Sequence, residues 1–499
     1  MTSQTKPSAM TDLEPQAVWR LFAEMCAVPR PSKHEERIRR HMRQVAERMG
    51  FAVREDQIGN MVIDVPASPG CEKAPITVLQ GHLDMVCEKN ADTRHDFDQD
   101  PIRPVVDHDE NGELIVRAQG TTLGADNGIG VALALAAASS KDVKHGPLEI
   151  LCTIDEEMGM TGAKVLEPTF VRGRRMLNLD SEDDEAIYIG CAGGRDSTLT
   201  WELPTAKAPA GSEACRVTVS GLRGGHTGGD IHENRGNAVK LLIQTLRGAE
   251  GAEQLHLAEI NGGSKRNAIP REASACVVGP KGISEALTQA AEHVQAEAVR
   301  DGGEKSCLIR VEGANVGAAA PVADTTRLLA ALAALPHGVL ATVPDIPGLV
   351  QTSNSTSTVA SELTSGKLRI TVGCLSRSSK RHELHNTARQ IAAIGELAGA
   401  HVESGNEYPG WAPNKNSPLL ATCSELYRRL FGKEPKVAAI HAGLECGIIG
   451  ERVGGGKMDM VSIGPRITGP HSPDERVYVA AVQKSWKFLT AILAELAKT

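Results

Sequence analysis

The sequence predicts an α/β protein, a mixed and largely parallel sheet flanked by helices, with a second, α+β domain inserted into it. Three observations predict it. Short β-type runs at 61–65, 76–79, 148–154 and 176–179 alternate with helical spacings in the first part of the chain, a rhythm that buries a parallel sheet between helices. The middle breaks this rhythm: the stretch 221–229 is glycine-rich, and long alanine-rich amphipathic segments are separated by polar β-runs. From Pro409 onward the first rhythm returns, with strands expected at 437–440 and 458–463. A chain of 499 residues also exceeds what one hydrophobic core ordinarily supports. The reading therefore divides it into 1–194 and 411–499, two parts of one domain, and 195–410, the inserted domain.

In chain order, Ser32 and Glu35 have the spacing of a capping box, and Ile38, Met42, Val45 and Met49 then recur at helical spacing, which places a helix at about 35–49. Strands follow over 61–65 and 76–79, then an apolar helix over 128–138 and strands over 148–154 and 176–179. Inside the inserted domain, 216–223 echoes 368–375, each followed by a helical pattern. An internal duplication and a chance likeness of two β-runs both account for that echo. Near the end, Ser472-Pro473-Asp474-Glu475 reads as a second capping box with proline at the first helical position. Tyr478, Val482, Ser485, Leu489, Ile492 and Leu496 then form the stripe of a closing helix.

Composition removes several function classes. Hydrophobic residues at 41% and charged residues at 23% are those of an ordinary globular protein. A formal net charge of -8 argues against a nucleic-acid or anionic-membrane surface. Aromatic residues, at 3%, are too few for base-stacking platforms. No apolar run approaches the length of a membrane span and no signal-peptide core stands near the start, so a cytoplasmic location is expected. The eleven cysteines are scattered singly, with no CxxC pair, which suits reduced and mostly buried thiols. Cys87 reads as a small buried thiol, with a reactive nucleophile as the alternative.

The chemistry-bearing residues gather at strand ends. His82 and Asp84 stand two apart at the end of the run 76–79, so a strand directs both to one face. Glu156 and Glu157 end 148–154, Asp180 ends 176–179, and His471 follows 458–463; Asp126 sits where a loop enters a helix. In α/β folds ligands bind at the carboxyl ends of strands. Taken singly, an Asp at a helix start reads as a cap, a His as structural and a Glu-Glu pair as a solvated face. Taken together, two histidines and three or four carboxylates exceed the needs of one tetrahedral zinc and suit two metals sharing a bridging carboxylate.

The motifs GHLDMV at Gly81, LGADNGIG at Leu123, DEEMGMTGA at Asp155, NLDSED at Asn178, GGHTGGDI at Gly224, NAIPREA at Asn267 and GPHSPDERV at Gly469 resemble those of the dizinc aminoacyl-histidine dipeptidases. These are also called cytosol non-specific dipeptidases, and they belong with the carnosinases, aminoacylases and related carboxypeptidases. The resemblance runs over nearly the whole chain. It implies two Zn2+ per chain, with Co2+ or Mn2+ as substitutes: one held by His82 and Asp180, the other by Glu157 and His471, and Asp126 bridging them. It implies Glu156 as general base and Asp84 as the residue that orients His82. His226 is implied to reach the substrate carbonyl oxygen, Asn267 to lie near the same position, and Arg377 to grip the substrate carboxylate.

The expected function is therefore that of a metallo-dipeptidase. It would hydrolyse free dipeptides, Xaa-His and broader ones including β-alanyl-histidine, by metal-activated hydroxide with a glutamate base. Deacylation of N-acyl amino acids at the same site is the alternative. A dimetal phosphoesterase is disfavoured because the metal motifs carry no cationic clamp, and a zinc-stabilised binding module because structural zinc prefers Cys and His ligands. The partner expected is a small dipeptide, with no nucleic acid and no membrane. A homodimer remains open, although a duplicated lid domain, the inserted 195–410, lets one chain supply both halves.

Overall fold

The computed structural model describes residues 9–344, 348–455 and 457–498. They fall into two compact units, one within Met1–Cys191, Trp411–Ala439 and Leu444–Thr499, the other within Ala192–Gly410 and Ile440–Gly443. The short segment Ile440–Gly443, read from sequence as part of the C-terminal region, belongs to the second unit. There the amide of Ala192 donates to the carbonyls of Ile440 and Ala442, at 3.1 Å each.

The first unit is built on an eight-stranded sheet. Its order is Ala52–Glu55, Met61–Val65, Leu148–Thr153, Thr77–His82, Arg175–Asn178, Asp459–Ser462, Ala186–Cys191 and Lys436–Ile440. Thr77–His82 runs parallel to both of its neighbours, and Arg175–Asn178 runs parallel to Asp459–Ser462. Antiparallel pairs flank this centre. Thr77–His82 is buried along its whole length, as a strand covered on both faces must be. Against the sheet lies the helix Ala125–Ser139, apolar nearly all round and almost wholly buried, and the helix Val479–Leu496 buries Val482, Ser485, Leu489, Ile492 and Leu496 as one stripe.

One expected helix start is displaced, and another helix stands where expected but without its cap. The closing helix begins at Val479; 472–475 is a turn, in which Ser472 Oγ donates to the Gly469 carbonyl, and Arg476–Tyr478 is a strand. The early helix spans Glu36–Arg48 with no side-chain cap. Ser32 Oγ donates instead to Asp84 Oδ2 at 2.7 Å, and Glu35 Oε1 accepts from the amides of Lys33 and Asp155 at 2.8 and 3.0 Å. In both places the glutamate that the local spacing assigned to a cap accepts from distant amides instead.

The second unit holds a long antiparallel sheet in which one arrangement occurs twice. Its path is Leu308–Gly313, Glu213–Ser220, Ala273–Gly279, His256–Gly262, then Val350–Thr364, Lys367–Ser378, Gly193–Pro204 and His401–Tyr408; Gly338–Thr342 adds to Val350–Thr364. Reversing the second four strands reproduces the first four. The helices correspond too: Ala238–Gly248 with Val322–Ala334, and Ile283–Arg300 with Arg381–Leu397. The sequence echo joins the wrong strands, because Glu213–Ser220 matches Gly193–Pro204 in position, whereas Lys367–Ser378 matches Ala273–Gly279. Alternating valine and isoleucine fit any half-buried strand, so that likeness carries no register.

Candidate metal centre

Four of the sequence-nominated groups converge on one carboxylate of the first unit. Asp126 presents Oδ1 to His82 Nε2 at 3.1 Å and Oδ2 to His471 Nε2 at 3.3 Å. His82 Nε2 also lies 3.4 Å from Asp180 Oδ1, and His471 Nε2 lies 3.1 Å from Glu157 Oε2. Ligand atoms of His82, Asp126 and Glu157 all lie within 4.8 Å of one another. Two nests of donor atoms thus share Asp126, one with His82 and Asp180, the other with His471 and Glu157.

Each side chain is delivered by a loop or an element end. His82 ends the strand Thr77–His82. Its Nδ1 faces the Asp84 carbonyl at 3.2 Å and the Asp84 carboxylate at 3.4 Å, which leaves Nε2 for a cation. The Asp84 carboxylate also accepts from the amides of Glu156 and Glu157 at 3.1 and 3.2 Å. It thereby holds the turn Glu156–Gly159 that carries both glutamates. Asp180 follows the strand Arg175–Asn178, whose Asn178 Oδ1 accepts from the Asp180 amide at 3.3 Å.

The electrostatics are those of a cation site. Burial pushes the Glu156 carboxyl well above the ordinary carboxylate range, and the charges of Glu157, Asp180 and Glu445 add to it. Burial likewise raises Glu157 and Asp180, with Asp126 adding in both cases. Asp126, flanked by two imidazoles, is held low against the effect of burial. His471 is pushed up to about 11 by its bonds to Asp126 and Glu157. Glu157 Oε1 and Asp180 Oδ1 are buried with no hydrogen-bond partner, an expensive arrangement for carboxylate oxygens unless a cation faces them. The residues present, imidazoles and carboxylates, therefore fit two divalent ions.

Glu445, which the sequence reading did not single out, is fully buried under this cluster. Its Oε2 accepts from Gln80 Nε2 at 2.6 Å and from Thr153 Oγ1 at 2.5 Å. Burial first, with Asp180 and Asp84 contributing, raises it to about 8. A lone Glu in HAGLECG carries no pattern that would have revealed it.

The remaining nominees lie in the second unit, gathered around Arg377. This arginine is only 4% exposed on the strand Lys367–Ser378. Its Nη1 donates to Tyr408 Oη at 2.8 Å, its Nε to Thr227 Oγ1 at 3.3 Å, and its Nη2 lies 3.3 Å from His226 Nε2. Gly194, opposite Arg377 in the sheet, leaves the space that the Tyr408 ring occupies, since a Cβ there would stand 2.5 Å from it. Asn267 is exposed and joins the group through its backbone, its carbonyl accepting from the Thr227 amide at 2.9 Å. His441, from the segment Ile440–Gly443, lies 2.7 Å from Ser353 Oγ; burial first and then the Arg377 charge push its imidazole down to about 3.

The sequence profile of peptidase family M20/M25/M40 matches residues 78–495. The chain belongs to this family. Across 98% of its length it is 42% identical to the cytosol non-specific dipeptidase of Escherichia coli (strain K12), over 99% of that protein. Among solved structures, the aminoacylhistidine dipeptidase of Vibrio alginolyticus superposes with a TM-score of 0.84 at 42% identity, covering 98% of each chain. A tripeptidase of Staphylococcus aureus shares the fold at a TM-score of 0.56 and 14% identity, covering 98% of this chain and all of that one. The M20 peptidase fold thus accommodates both the mixed sheet and the second α+β unit. Among the described residues, no helix is long and apolar enough to cross a membrane.

Proposed function

We propose that this M20 peptidase is a metallo-dipeptidase acting on free dipeptides, Xaa-His among them, in the cytoplasm. The observation that carries the reading is Asp126, which offers one oxygen to each of two histidines that are each paired with a further carboxylate. The high identity to two dipeptidases along the whole chain supports the substrate class. His82 and Asp180 would hold one ion, Glu157 and His471 the other, with Asp126 between them. When bound, such a pair acidifies a water and polarises the scissile carbonyl.

The protein's own groups do the rest. Glu156 is the general base: it takes the proton from the attacking water and delivers it to the leaving amine. His226, with Asn267 nearby, steadies the carbonyl oxygen as negative charge develops there. Arg377 pairs with the α-carboxylate; a guanidinium matches that group bidentately. Among the described residues, its side chain hydrogen-bonds two hydroxyls and an imidazole and no carboxylate, so its charge is available to an anionic ligand.

Metal analysis combined with turnover of a substrate panel tests the reading. The panel contains Xaa-His and other dipeptides, β-alanyl-histidine and N-acetyl amino acids. Two ions per chain and preferred cleavage of dipeptides are expected. Preferred cleavage of N-acetyl amino acids, or full activity after exhaustive chelation, would overturn it.

A further inference from the structure

Glu475 was read from sequence as a capping glutamate, but its side chain enters the interior and is only 2% exposed. Its carboxylate is one of the most heavily hydrogen-bonded in the chain. Oε2 accepts from the amides of Leu123 and Gly124 at 2.6 and 2.9 Å, and Oε1 from the amides of Ala125 and Asp126 at 2.7 and 3.2 Å. Four successive amides along the entry to the helix Ala125–Ser139, where Asp126 and Asn127 depart from helical backbone angles, thus point at one anion.

A second buried charge holds the same loop from its other side. Arg30, 2% exposed, donates through Nη1 to the carbonyls of Leu83 and Asp84 at 2.9 Å each, and through Nη2 to the carbonyl of Gly124. Gly124, at φ +70°, leaves the guanidinium its place; a Cβ there would stand 2.4 Å from Nη2. The loop that delivers Asp126 is therefore fixed by a carboxylate on its amides and a guanidinium on its carbonyl. The same guanidinium ties it to the His82–Asp84 loop. Glu475 also lies four residues beyond His471, so one short segment supplies a histidine to one end of the Asp126 carboxylate and the anchor for its backbone.

We propose that Glu475, opposed by Arg30, is the positioning residue that sets the bridging placement of Asp126 and thereby the affinity for the metal pair, without itself touching metal or substrate. The proposal rests on the dimetal reading above. Glu475→Gln replaces one accepting oxygen with an NH2 that faces backbone donors, so at least two of the four bonds are lost.

The experiment titrates metal-free full-length protein with Co2+, followed by visible absorption, and measures dipeptide hydrolysis in parallel. For Glu475→Gln, a tenfold or greater loss of affinity for at least one Co2+ is expected, with an altered visible spectrum and a fall in kcat at nearly constant KM. Glu149→Gln is the control. Glu149 is a fully buried carboxylate that accepts from the amides of Arg172 and Gly173, so its loss should lower the unfolding midpoint and leave Co2+ binding unchanged. Wild-type Co2+ affinities and spectrum in Glu475→Gln would overturn the proposal. If that variant fails to fold, Arg30→Lys is read instead, with the same Co2+ loss expected and unchanged binding overturning it. A wild-type chain that binds no Co2+ or cleaves no dipeptide would bring down the dimetal reading itself; failure confined to the variants brings down only this inference.

Discussion

At the residue scale, the site rests on side chains with unequal duties. Among the described residues, His82 and His471 pair with Asp126, Asp180 and Glu157 and not with Glu156, so removal of Glu156 should spare the metals. Glu156→Gln is expected to lower kcat by about 10²-fold or more, the usual scale of general acid-base catalysis, with metal content unchanged by elemental analysis. Asp84 is bound to more than His82. Because its carboxylate also accepts the amides of Glu156 and Glu157, Asp84→Asn should lower kcat and also shift the Glu157–His471 ion to weaker binding, as seen in a competition titration with a chelating dye. A variant that loses rate alone would reduce Asp84 to an orienting partner of His82. For Arg377→Ala, KM should rise at least tenfold for a free dipeptide and little for the C-terminally amidated analogue. Equal changes for the two would place Arg377 outside substrate recognition.

At the element scale, two Ser-Pro pairs in the last third of the chain show how far local pattern can be trusted. Ser417-Pro418 opens the helix Pro418–Phe431, and Ser417 Oγ accepts from the Leu420 amide at 2.9 Å. Ser472-Pro473 has the stronger signature, with Glu475 three residues on, yet it opens no helix. Ser417→Ala should therefore cost about 1 kcal/mol of stability, the usual worth of an N-cap, whereas Ser472→Ala should cost little; denaturant midpoints of the two variants make the comparison. What the sequence discloses at this scale is what repeats. The helical stripe from Val482 to Leu496 and the apolar strands are legible because periodicity is a local property. Ser32, Glu35 and Glu475 mislead because their partners are 52, 120 and about 350 residues away, and no window includes both ends of such a bond. The metal motifs escape this difficulty. Each His or carboxylate marks a strand or helix end by itself, whereas Glu445 sits in no motif of that kind.

At the scale of the whole molecule, the buried thiols set a pH limit. Burial pushes Cys26 and Cys152 up to about 12, and Cys191 and Cys374 up to about 11, from an ordinary 9.0. A folded-state value above the unfolded one means the contribution is intact below pH 9.0 and is lost as pH rises toward 11–12, because only the unfolded chain releases those protons. Lys240 acts in the opposite sense: burial lowers it to about 8 from 10.5, so its burden is lifted as pH rises through that interval. Four thiols outweigh one amine. The thermal midpoint under reducing conditions should therefore fall as pH rises above about 9, and a midpoint level between pH 9 and about 10.5 would contradict this account.

The strand Asp459–Ser462 lies between Arg175–Asn178 and Ala186–Cys191 in the middle of the first unit's sheet. On the ribosome, its two neighbours emerge long before it does. At about 5–20 residues per second the gap stays open for some tens of seconds, during which both flanking strands present unpaired edges. The first unit can therefore close only after residue 462 has left the ribosome. A message truncated before codon 459 would yield a chain that a chaperone must hold or a protease remove, even though every residue from 77 to 191 is present.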